Sequence, residues 1–158
     1  MNIKNKYNII KEMEYSSNFG KRELLANGIC RGYNFYILNL GINPTAYIGI
    51  PRDSVFYKKP HGDLNIKVHG GLTYSSNTLY LENRVASGWF IGWDYMHWGD
   101  FNGAFMDMDI DMSDMRKWTV SDIIRDVEYV CEQLSQGDDF YKDEKHLFPI
   151  KNNEDDSE

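Results

Sequence analysis

Cysteine, proline, positive charge and long apolar runs are all scarce in this chain, and each scarcity excludes something. Cys30 and Cys131 are the only cysteines; they stand far apart, with no C-x-x-C spacing and no leader-like segment, so a reducing cytoplasm is the expected compartment. Both are expected to be small buried hydrophobes. No apolar run approaches the ~18–20 residues that cross a bilayer, and no membrane partner is expected. Lys and Arg total 17 against 24 Asp and Glu, giving a net charge of −7. Such a balance argues against nucleic acid held on a broad basic surface, because phosphate affinity comes mainly from Lys and Arg.

Phosphate-loop and hydrolase signatures are missing as well: no G-x-G-x-x-G, G-x-x-x-x-G-K-S or G-x-S-x-G pattern occurs. What is abundant is aromatic. At 15% Phe, Trp and Tyr and 42% hydrophobic overall, the 158 residues suit one folded domain. We read residues 1–26 as a lead-in, 27–150 as a single α+β domain and 151–158, KNNEDDSE, as a disordered acidic tail.

The densest stretch is Gly88–Asp100, GWFIGWDYMHWGD, which holds three of the four tryptophans. Strand side chains alternate, so Trp89, Ile91, Trp93, Tyr95 and His97 share one side and Phe90, Gly92, Asp94 and Met96 the other. Such a wall is either the inside of a core or the floor of a pocket for a flat molecule. Upstream, Asn27-Gly28 reads as a turn, Ile29–Leu40 as a strand and Thr45–Ile50 as another. Leu64–His69 alternates cleanly and stops at Gly70-Gly71; Leu72–Ser75 and Thr78–Val85 follow, with Ser76-Asn77 as a turn. The short spacings favour an antiparallel meander of about five to six strands.

The period changes after Thr119. Val120, Ile123, Ile124, Val127, Cys131 and Leu134 form one helical stripe, with Thr119 as N-cap, Asp122 three residues on and Gly137 where a C-cap glycine belongs. A long C-terminal amphipathic helix from about Val120 to Gln136, packed on one face of the sheet, is the expectation. Asp107-x-Asp109-x-Asp111 fails as a calcium loop, since Met112 and Trp118 stand where glycine and glutamate are required; it reads as the wet side of a strand.

Two segments combine polar groups with backbone freedom. In His69-Gly70-Gly71-Leu72-Thr73-Tyr74-Ser75, paired glycines form either a plain turn or a loop that approaches a ligand, with Thr73 and Ser75 hydroxyls nearby. In Asp94–Asp100, aromatic faces suit core packing or base stacking, worth ~1–3 kcal/mol per base. His69, His97, Asp94 and Asp100 are residue types that bind zinc or manganese, but the Asp94-x-x-His97-x-x-Asp100 spacing does not put them on one face of a strand or helix.

The blocks Tyr36–Gly41, Asn43–Tyr47, Val68–Ser75 and Gly92–Asp100 resemble a family of small proteins from phages and prophages of Firmicutes, over about residues 28 to 136. Met96 and Trp98 are bulky where relatives often carry small residues. The resemblance implies an accessory gene of a mobile element, a setting in which host defences are often countered, in a bacterial cytoplasm. The functional expectation is a protein that sequesters a nucleotide-derived immune signal in an aromatic pocket, without catalysis or cofactor. Trp89, Trp93, Tyr95 and Trp98 are the candidate stackers, His69, Thr73, Ser75, Asp94 and His97 the polar contacts, and Arg84 the phosphate counter-charge. A homo-oligomer would suit the aromatic surplus. The alternatives are an acidic inhibitor that binds a host defence protein in the anti-CRISPR manner and a metal-dependent phosphodiesterase using His69 and His97.

Overall fold

The computed structural model describes residues 3–147, with side chains from 5 to 142, so the acidic 151–158 segment lies outside the described residues. A short helix α1 (Ile3–Lys6) precedes strands β1 (Asn8–Ile9), β2 (Glu23–Cys30), β3 (Tyr33–Asn39), β4 (Pro44–Gly49), β5 (Tyr74–Tyr80) and β6 (Val85–Asp94). Helix α2 (Val120–Leu147) ends the described chain. The strands form one antiparallel six-stranded sheet in the order β1-β2-β3-β4-β6-β5, and α2 lies on one face: an α+β fold. The meander is broken at one step, because β6 enters between β4 and β5 and leaves β5 at the edge. Among the described residues no helix is long and apolar enough to cross a membrane.

Backbone geometry moves the expected turns. Asn27-Gly28 lies inside β2, paired with Tyr36 and Phe35, and the reversal falls at Arg31-Gly32, both at positive φ (52° and 87°). That is the geometry of a two-residue hairpin turn whose twist matches its strands. The strand read over Ile29–Leu40 is therefore the end of β2, a turn and β3. Likewise Ser76-Asn77 is an irregularity within β5, not a turn, and the β5–β6 hairpin closes through Leu81 N–H to Arg84 O at 2.8 Å.

Residues 64–69 alternate as expected yet pair with no strand. Leu64, Ile66 and Val68 pack against the main core, while the Lys67 backbone bonds a side chain of α2. Lys67 N–H donates to Gln133 Oε1 (2.8 Å), and Gln133 Nε2 donates to Lys67 O (2.7 Å). A glutamine amide here does what a neighbouring strand would do.

The helix starts where its cap predicts. Asp122 N–H donates to Thr119 Oγ1 and Thr119 N–H to Asp122 Oδ2, both at 3.1 Å, a reciprocal capping box. It continues past Gly137, which serves close approach instead of termination: a Cβ there would lie 2.5 Å from Phe56 Cζ. One residue on, Asp138 accepts from Tyr33 OH (2.6 Å), Ser54 Oγ (2.9 Å) and Val55 N–H (2.8 Å).

Val120, Ile123, Ile124, Val127, Val130, Cys131 and Leu134 bury the stripe of α2 against Phe35, Ile37, Ala46, Ile48, Ile91 and Trp93. Each such side chain contributes ~1.5–3 kcal/mol on leaving water. Both cysteines are free and buried, as expected. The other face carries a smaller cluster of Leu38, Tyr47, Leu79, Leu81 and Phe90. Residues 102–115 form a short 3-10 turn (Gly103–Phe105) and bends in place of the expected strand, with Met106, Met108 and Ile110 exposed beside the aspartates.

Replacing Gln133 by Leu removes both bonds to the Lys67 backbone while keeping the helix; at ~0.5–1.5 kcal/mol per net hydrogen bond, a loss of about 1–3 kcal/mol is expected in urea unfolding. Lys67→Ala, whose contacts there are backbone only, is the control and should change stability by less than about 0.5 kcal/mol.

Candidate functional site

One end of the sheet gathers the turn between β3 and β4, the residues entering β5 and those leaving β6. Register does the positioning: Thr45 on β4 pairs with Asp94 on β6, and Thr73 N–H donates to Gly92 O at 3.0 Å. His69, Thr73, Asp94, His97 and Asp100 thereby converge although the chain separates them. The His69 and His97 rings meet edge to face with centroids 5.5 Å apart.

Asp100 is the hub. Its carboxylate, 7% exposed as a residue, bonds His69 Nε2 (2.7 Å) and His97 N–H (2.9 Å) through Oδ2 and Trp118 Nε1–H (2.9 Å) through Oδ1. Trp118 reaches it because residues 99–101 bridge Arg116: Phe101 N–H donates to Arg116 O and Arg116 N–H to Gly99 O, both at 2.8 Å. His69 lies parallel to Tyr95 (5.2 Å, 8°) and against Trp118 (4.6 Å), while the Arg116 guanidinium covers the outer indole face at 3.5 Å.

Asp94 forms a second polar group. Oδ2 accepts from Thr73 Oγ1 and Oδ1 from Met96 N–H, both at 3.1 Å. His97 Nε2 is also 3.1 Å from Asp94 Oδ1, but without the alignment of a hydrogen bond, and it is buried with no other partner. Gly70, at φ 70°, packs directly on that imidazole; a Cβ there would run into the ring. The paired glycines are thus a turn and a close approach at once.

Beside these groups is a cavity of about 360 Å³ bordered by Asn43, Thr45, Tyr47, Tyr74, Asp94 and His97, with exposed Phe19 at its edge. Three of the residues bordering it each hold one side-chain atom that is sealed from solvent without a hydrogen bond: Asn43 Oδ1, Thr45 Oγ1 and His97 Nε2. Thr45 Oγ1 lies near the Tyr47 phenol without closing a bond of good geometry. Burial raises the Tyr47 pKa, and the nearby Thr45 hydroxyl and Arg22 guanidinium oppose that rise.

The expected contacts divide accordingly. Tyr95 (0% exposed) is sealed in the core under α2, and Trp93 (1%) belongs to that core while also bordering the cavity; Trp93 Nε1–H donates to Tyr95 OH (2.8 Å) and Tyr95 OH to Asp126 Oδ2 (2.7 Å). Burial first, then the Asp126 charge, hold the Tyr95 phenol protonated far above its ordinary range. Trp89 is half-buried, with Nε1–H donating to Lys59 O at 3.1 Å, and Trp98 is 97% exposed. Ser75 is engaged with His61 (2.9 Å to Nδ1), away from the Asp94 group. Arg84 lies in the β5–β6 turn, where its carbonyl accepts from Leu81 N–H, and it does not border this cavity.

Asn43, Thr45, Tyr47, Tyr74, Arg22 and Trp118 were not among the residues picked from sequence. The available signal was Asn43-Pro44-Thr45, polar residues opening an otherwise apolar strand. Among the described residues, no group of three or more His, Cys, Asp or Glu is placed to hold a metal ion. No family model matches the chain, and no curated protein or solved structure matches it either.

Asp100→Asn turns an amide N–H₂ toward either the Trp118 or the His69 and His97 donors, whichever way it is oriented. A loss of about 1–3 kcal/mol is expected, read by denaturant unfolding monitored on tryptophan fluorescence. Gly70→Ala combines a strained φ with a clash on His97 and should destabilise by a similar ~1–3 kcal/mol, with a shifted His97 ring signal in NMR.

Proposed function

We propose that this protein is a phage or prophage anti-defence factor that binds and sequesters a nucleotide-derived immune signal, of cyclic-nucleotide or ADP-ribose type, in the cavity at the Asp94 end of the sheet. The observation that carries this reading is a cavity of about 360 Å³ whose border combines aromatic side chains, Tyr47, Tyr74 and Trp93, with the polar side chains of Asn43, Thr45, Thr73, Asp94 and His97. Tyr47 and Tyr74 join Trp93 in the aromatic wall, in place of Tyr95. Thr73, Asp94 and His97 supply polar contacts, and Arg22, beside Tyr47, supplies a cation for a phosphate. His69 acts indirectly, holding the loops through Asp100.

No bond is made or broken. Sequestration is stoichiometric, so a homo-oligomer that shares or multiplies the cavity fits the role. Titration calorimetry with cyclic dinucleotides and cyclic ADP-ribose isomers should reveal a ligand with Kd below about 10 μM, roughly −7 kcal/mol; absence of any such ligand ends this reading.

One observation favours a second reading. Trp98, almost wholly exposed, is the kind of residue that anchors protein interfaces. If the protein is instead an inhibitor of a host defence effector, a purified effector should bind the wild type and lose at least tenfold in affinity for Trp98→Ala.

A further inference from the structure

Cys30 and Cys131 are distant in sequence but meet in the fold. Cys30 ends β2, Cys131 lies within the buried stripe of α2, and the two thiols are close enough to hydrogen-bond each other. Cys131 is fully buried, whereas Cys30, 6% exposed, borders a cavity of about 650 Å³ that shares no residue with the one at the Asp94 end. Lys6, Arg31 and Arg125 bring three cations to that cavity, and Glu128 and Glu132 two carboxylates. Tyr7 OH stands 3.4 Å from the Cys30 sulfur and donates to Glu128 Oε2 at 2.8 Å, the oxygen that also takes Lys6 Nζ at 3.2 Å.

From this arrangement we propose that Cys30 and Cys131 form a redox-reactive pair: a hydroperoxide oxidises Cys30, and Cys131 resolves the product to a disulfide that ties β2 to α2. The proposal does not depend on the sequestration reading. The thiolate is the reactive form of a cysteine, and two donors stand ready for one at Cys30. The first is the Cys131 S–H. The second is the Tyr7 phenol, whose proton goes to Glu128 while Cys30 is a thiol and turns to the sulfur when it ionises; Lys6 then keeps Glu128 paired. Those hydrogen bonds, Cys131 before Tyr7, hold the Cys30 thiol below its ordinary pKa against the opposing effect of burial. Cys131 moves the other way, raised by its bond to Cys30 and then by burial, so it stays a protonated thiol until Cys30 has reacted.

The Cys30 thiolate attacks one peroxide oxygen: an S–O bond forms, the O–O bond breaks, and the displaced alkoxide or hydroxide takes a proton from water to leave as an alcohol or water. The Cys131 thiol then attacks the Cys30 sulfenic acid; an S–S bond forms, the S–O bond breaks, and the hydroxyl leaves as water with the Cys131 proton. The two sulfurs together lose two electrons, and the peroxide gains them. Burial sets the order of events, since of the two thiols only Cys30 belongs to a residue that borders the cavity. A resolving thiol beside the first one keeps the oxidation reversible by thiol exchange, instead of letting it run on to the sulfinic acid.

The test is mass spectrometry on the full chain, first reduced and then exposed to hydrogen peroxide with and without dimedone, which traps sulfenic acids. Without dimedone, the wild type should lose two hydrogens and yield a Cys30–Cys131 linked peptide within one chain, returned to free thiols by dithiothreitol. Cys131→Ala should stop at a Cys30 sulfenic acid that dimedone labels, whereas Cys30→Ala should leave Cys131 unlabelled. Tyr7→Phe, which keeps the ring and removes the proton donor, should slow the reaction of Cys30 severalfold. Folding of each variant is checked by thermal unfolding, and the wild-type peptide map needs no variant at all. Wild-type thiols that survive peroxide sufficient to oxidise free cysteine overturn the proposal. So does a dimedone label on Cys131 in place of Cys30, or a disulfide found only between chains.

Discussion

A single buried carboxylate holds together the parts of this protein that have no regular structure. Asp100 receives N–H groups from His69, His97 and Trp118, three points on three segments that no strand or helix joins. At low local dielectric such charge-assisted bonds are strong, and each donor depends on the same acceptor. The bond to Trp118 places the indole two residues before α2 begins; the bond to His69 places the glycine turn that covers His97. The loop end of the sheet and the helix start are therefore one mechanical unit. Tyr95 extends it, stacking on His69 and donating to Asp126 of α2.

The aromatic stretch owes its two roles to the pleat. On β6, Ile91 and Trp93 point toward α2 and fill the main core, whereas Phe90 joins the cluster on the opposite, helix-free face. Asp94 and its neighbour Thr45 come at the end of the β4–β6 pairing, where covering side chains run out. Polar groups are tolerated there because the core stops, and the cavity is the space that neither cluster closes. Three tryptophans close together thus meet three fates: Trp93 enters the core, Trp89 is half-buried against Lys59, and Trp98 projects into solvent.

Local rules were legible where the signal was local. The stripe of α2 and the Thr119–Asp122 box announce the helix start, because capping depends on residues three apart. Alternation separates the two sides of β6 correctly. Gly137 misleads, because a glycine permits close packing as readily as it permits a helix end, and only Phe56 distinguishes the two. Asn27-Gly28 misleads for a related reason: it carries turn chemistry, yet pairing with Phe35 and Tyr36 keeps it in the strand, and Arg31-Gly32 takes the reversal. Of the candidate site, His69, Thr73, Asp94 and His97 were identifiable by residue type and motif, whereas Ser75 was placed with them by sequence proximity and Arg84 by its charge.

By itself the sequence determined an antiparallel sheet with one amphipathic helix across it, since periodicities of two and of three to four residues are properties of short windows. Tertiary structure alone decided that β6 inserts between β4 and β5. That insertion sets Thr45 beside Asp94 and brings Asn43 and Tyr47 to the cavity. Non-local pairing depends on contacts between segments tens of residues apart, and no local pattern of residues encodes which strand will lie beside which.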